Sequence, residues 1–257
     1  MHLLIDIGNS TVVGAIVNDN GEIVSTWRFD TIKNQTTDYY IDNLKSGLCA
    51  CGIEPSDIEK TAISSVVPEL NNRFVDAVSK ITGAEPRFFS VIDAERLLDI
   101  DVDFPEQVGK DRLADAIAAA ECYGSPTIVI DMGTATTVGI VTAQRKFVGG
   151  MIIPGVKTSH RALCERASQL SEIDKWEAGS IVGRNTKECM QSGVIFGAAC
   201  MIDGVIDRIN DMFDSPFTIV ATGGMSSVIV PYCKHDIIVD KHLLLKGIYH
   251  AVIAENK

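Results

Sequence analysis

One pattern occurs twice in this chain, and it constrains the fold more than any other feature of the sequence. An apolar run ends in an Asp-x-Gly turn with hydroxyl residues, at residues 3–11 and again at residues 127–137. Each copy is typical of a buried strand that enters a tight turn. Two strand-like segments follow each turn, at residues 12–17 and 22–29 in the first copy and at 137–142 and 146–153 in the second. Both halves are therefore predicted to open with a three-strand meander.

Helix-like and strand-like segments alternate after each meander. The first half has helical spacing around residues 40–48 that ends at Gly52, then a strand at 61–67, a helix at 70–81 and a strand at 87–91. The second half has a helix at 186–212, strands at 217–221 and 236–239, and a last helix at 241–254. The order β-β-β-α-β-α-β, used twice, predicts an α/β protein of two related domains around a central cleft. We expect these domains to span residues 1–115 and 116–257.

The charge balance limits the partners that such a protein can have. Lys and Arg number 23 and Asp and Glu 34, a net charge of −11, so a phosphate backbone repels the chain and nucleic-acid binding is not expected. No uninterrupted apolar run reaches the roughly 20 residues that a bilayer requires, and residues 1–6 do not resemble a signal peptide. The 7 cysteines form no C-x-x-C pair, which favours free thiols in the cytoplasm.

The two Asp-x-Gly turns have the composition of phosphate-binding loops. Glycine lets a phosphate approach the backbone closely, and backbone N–H groups and Ser or Thr hydroxyls donate to its oxygens. The Asp supplies a hard oxygen for a cation that neutralises the phosphates. One such turn is equally compatible with a plain hairpin, but two copies with similar strands after them favour a nucleotide clamped from both sides.

This pattern resembles the superfamily of acetate and sugar kinases, Hsp70 and actin, whose domains are ribonuclease H-like. Residues 6–14 are similar to its first phosphate loop, residues 131–137 to its second, and residues 222–224 to its adenosine loop. The resemblance implies that ATP contacts Asp6, Gly8, Asn9, Ser10, Thr11, Gly133, Thr134, Thr136, Gly223 and Gly224.

Three further motifs narrow the resemblance to type III pantothenate kinases. They are Gly-Lys-Asp-Arg at 109–112, a glycine-rich strand end at 149–155, and Gly-Arg-Asn-Thr at 183–186. The family uses ATP to phosphorylate the primary alcohol of pantothenate, which yields 4'-phosphopantothenate in the first step of coenzyme A biosynthesis. Its members are typically homodimers that require Mg²⁺ and a monovalent cation, K⁺ or NH₄⁺.

The resemblance also implies roles for individual residues. Asp111 would be the base that takes the hydroxyl proton, and Arg112 would bind the pantothenate carboxylate. Gly109 and Lys110 would also contact the substrate. Two simpler interpretations stay open, in which Asp111 only caps the helix that follows and Arg112 forms a surface ion pair with Asp115.

Three more positions match the family pattern. Thr186 matches a contact to the pantoyl end of the substrate, although it could instead be a helix N-cap. Asp131 matches the ligand of the monovalent cation, and Asp6 matches the residue near Mg²⁺ and the transferred phosphate.

Two positions depart from the family pattern. Asp115 stands where the family often has Asn, and residues 101–104 lack the Tyr that the family often has before Pro105. Both changes affect the expected substrate contacts rather than the phosphate loops. Two alternative functions stay open: a kinase for another small acidic or sugar substrate, and a nucleotide-binding regulatory protein that has lost catalysis.

Overall fold

A computed structural model describes residues 1–254 of the chain and divides it into two compact units. The first unit contains residues 1–121 together with residues 243–254, and the second contains residues 122–242.

The first unit contains a five-stranded sheet that opens with an antiparallel meander. Its strands are β1 (His2–Ile7), β2 (Thr11–Val17), β3 (Ile23–Asp30), β4 (Lys60–Ser65) and β5 (Arg87–Phe88). They lie in the order β3-β2-β1-β4-β5, with β4 and β5 parallel to β1. The predicted meander is confirmed, and β1 is the central strand whose end carries the first glycine turn.

Two helices cover one face of this sheet. They are α1 (Thr37–Ala50) and α2 (Asn71–Thr82), and Leu44 and Phe74 from them pack with Ile5 of β1 in one buried cluster. The Thr36 side chain caps α1 by accepting from the N–H of Tyr39, and Gly83 ends α2 in the left-handed conformation.

The segment that follows differs from the predicted strand at residues 87–91. Only Arg87–Phe88 form a strand, because Ser90 caps a short helix, α3 (Val91–Glu95), in a reciprocal capping box with Asp93. After β6 (Asp99–Ile100), the helix α4 (Lys110–Tyr123) carries the Gly-Lys-Asp-Arg motif at its start.

The second unit repeats the arrangement of the first. Its strands are β7 (Thr127–Met132), β8 (Ala135–Val141), β9 (Lys146–Pro154), β10 (Thr218–Thr222) and β11 (Ile238–Val239). They lie in the order β9-β8-β7-β10-β11, again with an antiparallel meander and with two strands parallel to the first one. The predicted α/β duplication is therefore confirmed at the level of strand order.

The helices of the second unit are α5 (Val156–Arg166), α6 (Thr186–Asn210) and the single turn α7 (Ser226–Ile229). By length and composition alone, α6 could cross a membrane, which contiguous apolar runs did not indicate. Its residues Ile195, Ile202 and Ile206 are fully or almost fully buried, in one cluster with Ile128 and Ile130 of β7. One face of α6 is therefore a core face of this unit.

The chain returns to the first unit at its end. The helix α8 (Leu243–Ile248) contacts β1 and β4 and continues as one π-helical stretch, Tyr249–Ile253. Gly247 lies so close to the backbone of Ala114 in α4 that a Cβ would come within 1.9 Å of its carbonyl oxygen. This grouping differs from the predicted division at residues 115 and 116, a position that falls inside α4.

Candidate active site

The first glycine turn is a tight hairpin between β1 and β2. The Gly8 N–H donates to the Thr11 carbonyl at 3.1 Å, and the Thr31 hydroxyl donates to the Gly8 carbonyl at 2.7 Å. The Thr31 N–H also donates to the Ser10 carbonyl at 3.1 Å. Because the turn itself uses the Gly8 amide, the exposed residues Asn9 and Ser10 present the polar groups of this loop to solvent.

The second glycine turn is built in the same way between β7 and β8. The Gly133 N–H donates to the Ala135 carbonyl at 3.0 Å, and the exposed Thr134 forms the tip. The Thr134 carbonyl accepts from the Gly155 N–H at 3.1 Å and from the Thr158 hydroxyl at 2.7 Å. A Cβ at Gly155 would lie 2.4 Å from the carbonyl oxygens of Gly133 and Thr134, so the glycine-rich end of β9 supports this loop.

Thr136 points away from the tip of the second turn. Its side chain is only 1% exposed, and it lies on the same face of β8 as the core residue Val138. The structure therefore separates Thr136 from Thr134, although the sequence motif had suggested that both contact ATP.

Sequence reasoning missed two residues beside Asp131. Thr137 of β8 and Thr222 of β10 are the direct cross-strand partners of Asp131, so the three side chains lie on one face of the sheet. In the first unit the partners of Asp6 are Val13 and Ser64. Which of Thr136 and Thr137 lies beside Asp131 is decided by the register of β8 on β7, which no local sequence pattern reports.

The third loop, at residues 222–224, packs against the second turn. Gly223 has a φ of +84°, and a Cβ there would lie 2.2 Å from Asp131 Oδ1 and 2.7 Å from the backbone of Met132. The Met225 N–H donates to the Met132 carbonyl at 3.1 Å. Only glycine fits this position, and Gly224 beside it is exposed.

Asp111 lies in the first turn of α4 and not at its cap. The helix begins at Lys110, and Asp111 Oδ1 accepts from the Arg112 N–H at 2.8 Å. A Cβ at Gly109 would lie 2.4 Å from Asp111 Oδ1, so the carboxylate rests on the glycine backbone. This contact gives a physical reason for glycine in the Gly-Lys-Asp-Arg motif.

Arg112 is half-buried beside Asp111. Burial lowers the pKa of Arg112 from its usual value, and the charge of Asp111 opposes this shift. Asp115 is only 3% exposed, so an ion pair between Arg112 and Asp115 would not lie at the surface. A partly desolvated guanidinium binds an anionic group more strongly than one in water.

Thr186 is the first residue of α6, but it does not cap the helix. The cap is Asn185, whose side chain accepts from the Glu188 N–H at 3.0 Å. The exposed Thr186 borders a cavity of about 600 Å³ between α5, α6 and the end of β9, where Leu163 and Met190 are among the lining residues. The cap interpretation of Thr186 is therefore wrong.

Known proteins resemble the chain along nearly its whole length. It is 35% identical over 248 residues to a type III pantothenate kinase from Halalkalibacterium halodurans, covering 96% of this chain and 97% of the relative.

Two solved structures share the fold at low sequence identity. A Campylobacter jejuni protein named as a Baf family transcriptional activator superposes with a TM-score of 0.61 at 19% identity, covering 97% of this chain and 96% of its own. A ROK family glucokinase from Streptomyces griseus superposes with a TM-score of 0.57 at 14% identity, covering 100% and 99%. These likenesses agree with a fold of two ribonuclease H-like domains. The profile of the type III pantothenate kinases matches residues 2–208, and the chain belongs to that family.

Proposed function

We propose that this protein transfers the terminal phosphoryl group of ATP to the primary alcohol of pantothenate, in the first step of coenzyme A biosynthesis. The observation that carries the proposal is the family membership, together with the Asp111 carboxylate held at the start of α4. A protein that only binds a nucleotide has no need of such a base beside an arginine.

The proposed ATP contacts lie on the three loops described above. Asp6, Gly8, Asn9, Ser10 and Thr11 belong to the first unit. Gly133, Thr134, Gly223 and Gly224 belong to the second unit, and their tips are partly or fully exposed. Thr136 is buried beneath this loop, so we propose no direct contact between its side chain and ATP.

The chemistry at Asp111 is proton transfer. In phosphoryl transfer the protein positions the nucleophile, removes its proton and stabilises the charge of the transferred group. Asp111 would accept the proton of the substrate hydroxyl, while Arg112, with Gly109 and Lys110, would hold the substrate carboxylate. Thr186 would contact the pantoyl end of the substrate.

Two cations complete the proposal. The half-buried Asp6 would hold Mg²⁺, and Asp131 would hold K⁺ or NH₄⁺ with Thr137 and Thr222 beside it. The second donor set suits a monovalent ion, because it combines one carboxylate with two neutral hydroxyls. When bound, such cations neutralise negative charge on the phosphates.

We also propose a homodimer located in the cytoplasm, and two observations support this. Exposed apolar side chains of the second unit, among them Ile152, Ile181 and Val182 at 63–71% exposure, suit a homodimer. All seven cysteines lie among the described residues and are free thiols, as the cytoplasm favours.

A coupled assay with purified protein tests the proposal. We expect ATP consumption that requires both pantothenate and added K⁺ or NH₄⁺. Asp111→Asn should abolish turnover and leave ATP binding, measured by calorimetry, nearly intact. The matched variant Asp42→Asn removes an exposed carboxylate of α1 and should keep turnover.

Three results would contradict the proposal in different ways. Full activity of the Asp111 variant would remove the base assignment. ATP binding without turnover in the unmodified protein would favour the regulatory alternative. Turnover with a sugar but not with pantothenate would favour another kinase of the same fold.

A further inference from the structure

A second cluster of ligand-type side chains lies at the opposite end of β1 from the first glycine turn. His2 begins β1, Asp19 lies in the turn between β2 and β3, and Glu59 directly precedes β4. One ligand atom from each residue lies within 4.8 Å of the other two. His2 and Asp6 are four residues apart in a strand, so this cluster is about 13 Å from the proposed Mg²⁺ residue.

The three residues are held by backbone contacts that do not involve their ligand atoms. The Tyr249 hydroxyl donates to the Asp19 carbonyl at 2.7 Å, and its ring packs against Gly21 of the same turn. The Glu59 N–H donates to the Met1 carbonyl at 2.9 Å. The side chains can therefore meet an ion without first ordering their loops.

The buried His2 ring presents one nitrogen to the cluster. Its side chain is 7% exposed, and Nε2 faces Asp19 Oδ1 at 3.2 Å. Within residues 1–254, the other ring nitrogen is buried and makes no hydrogen bond, so the polar contacts of the ring are concentrated at Nε2.

The geometry points to a site for a divalent transition-metal ion of the Zn²⁺ class, formed by His2, Asp19 and Glu59. Ligand bonds of roughly 2.0–2.2 Å in a tetrahedron place neighbouring ligand atoms roughly 3.3 Å apart. The observed separation of 3.2 Å between His2 and Asp19 already fits that value. The Glu59 side chain is 65% exposed and can move into place, which leaves one position for water.

The simpler interpretation is an ion-pair cluster around the amino terminus. The Met1 amine lies 3.3 Å from Glu59 Oε1 and 3.9 Å from Asp19 Oδ1, so a metal would compete with this cation. Exposed pairs of this kind contribute little to stability, so their loss does not prevent an incoming dication from binding. The two interpretations differ in one measurable property, which is affinity for a transition metal.

Cobalt(II) is a suitable probe, because its visible spectrum reports four-coordinate binding and a near-ultraviolet band reports sulfur ligands. The full-length protein, with any tag at the carboxyl end and its thiols reduced, would be titrated with Co²⁺ at neutral pH. We expect saturable binding without the sulfur band and a rise in Tm. His2→Gln, Asp19→Asn and Glu59→Gln should each weaken it by about tenfold or more.

The control is His235→Gln. His235 Nε2 lies 2.8 Å from Asp207 Oδ1, a similar histidine–carboxylate pair that forms no third-ligand cluster among the described residues. This variant should bind Co²⁺ like the unmodified protein. Asp19 and Glu59 are exposed, so their variants keep the test valid even if His2→Gln does not fold.

Three results would overturn the site. They are unchanged Co²⁺ affinity in the Asp19 and Glu59 variants, an equal loss in the His235 variant, and binding that always shows the sulfur band. Cobalt that binds at Asp6 is unaffected by these substitutions. The inference is independent of kinase activity, so each can fail without the other.

Discussion

Gly247→Ala should destabilise the protein, although alanine is normally the better helix residue. A Cβ at this position would lie 1.9 Å from the Ala114 carbonyl oxygen, whereas ordinary contacts begin at 3.4 Å. The backbones of α8 and α4 must therefore separate by up to 1.5 Å, the difference between these values. Overpacking of this kind costs about 1–3 kcal/mol, and alanine returns up to about 1 kcal/mol of helix propensity.

The contact is with backbone and cannot be relieved by a side-chain rotation, so the upper end of the overpacking cost applies. The net loss is then about 3 − 1 = 2 kcal/mol. For a protein of this size, Tm should fall by about 4–8 °C. The change also affects the site, since Ala114 lies three residues after Asp111 on the same helix.

Scanning calorimetry measures this effect, with Gly204→Ala as the matched control. Gly204 lies inside α6, and the nearest atom to its Cβ position is the end of the Arg208 side chain at 3.8 Å. Its replacement should raise Tm by about 2–4 °C through helix propensity alone. If both variants are stabilised equally, the close packing of α8 on α4 is incorrect.

Three further predictions concern the second unit. Gly223→Ala should lower both Tm and ATP affinity in calorimetry, because it forces an L-residue to φ +84° and pushes on Asp131. Unchanged ATP affinity would show that this loop does not contact ATP. Thr137→Val should raise the K⁺ concentration for half-maximal activity by about tenfold, while ATP affinity at saturating K⁺ serves as the control. An unchanged K⁺ requirement would show that Thr137 does not belong to the cation site. Cys233 should resist iodoacetamide at pH 8 while the exposed Cys49 reacts, since burial raises the pKa of the Cys233 thiol to about 12. Rapid labelling of Cys233, detected by mass spectrometry, would contradict its burial.

The sequence predicts the sheets of this protein better than its short helices. The continuous apolar runs of β1 and β7, which are buried almost throughout, and the Asp-x-Gly turns after them identify both meanders. The helix Val156–Arg166 was not predicted, since only Val156 and His160 on it are buried and its apolar periodicity is weak. The helix at Val91–Glu95 depends on a local capping box that interrupts a strand-like sequence.

The site residues were predictable where a short sequence motif carries the chemistry. They were not predictable where the role depends on which face of a strand a side chain occupies or on a contact between distant residues. The glycine turns and the Gly-Lys-Asp-Arg motif are recognisable from their residue types alone. Thr136 and Thr137 are adjacent and chemically equal, so only the register of β8 on β7 places one in the core and the other beside Asp131. The contact of Gly223 with Asp131 joins residues 92 positions apart, because 223 − 131 = 92, and no local pattern reports it.

The return of α8 to the first unit has a consequence for anyone who wishes to produce that unit alone. Cutting the gene after codon 121 would remove the helix that contacts β1 and β4, together with the Tyr249 hydroxyl that anchors the Asp19 turn. Such a fragment would expose apolar surface and tend to precipitate. A circular permutant in which the segment from Leu243 stands directly ahead of residue 1 would keep the first unit in one continuous polypeptide.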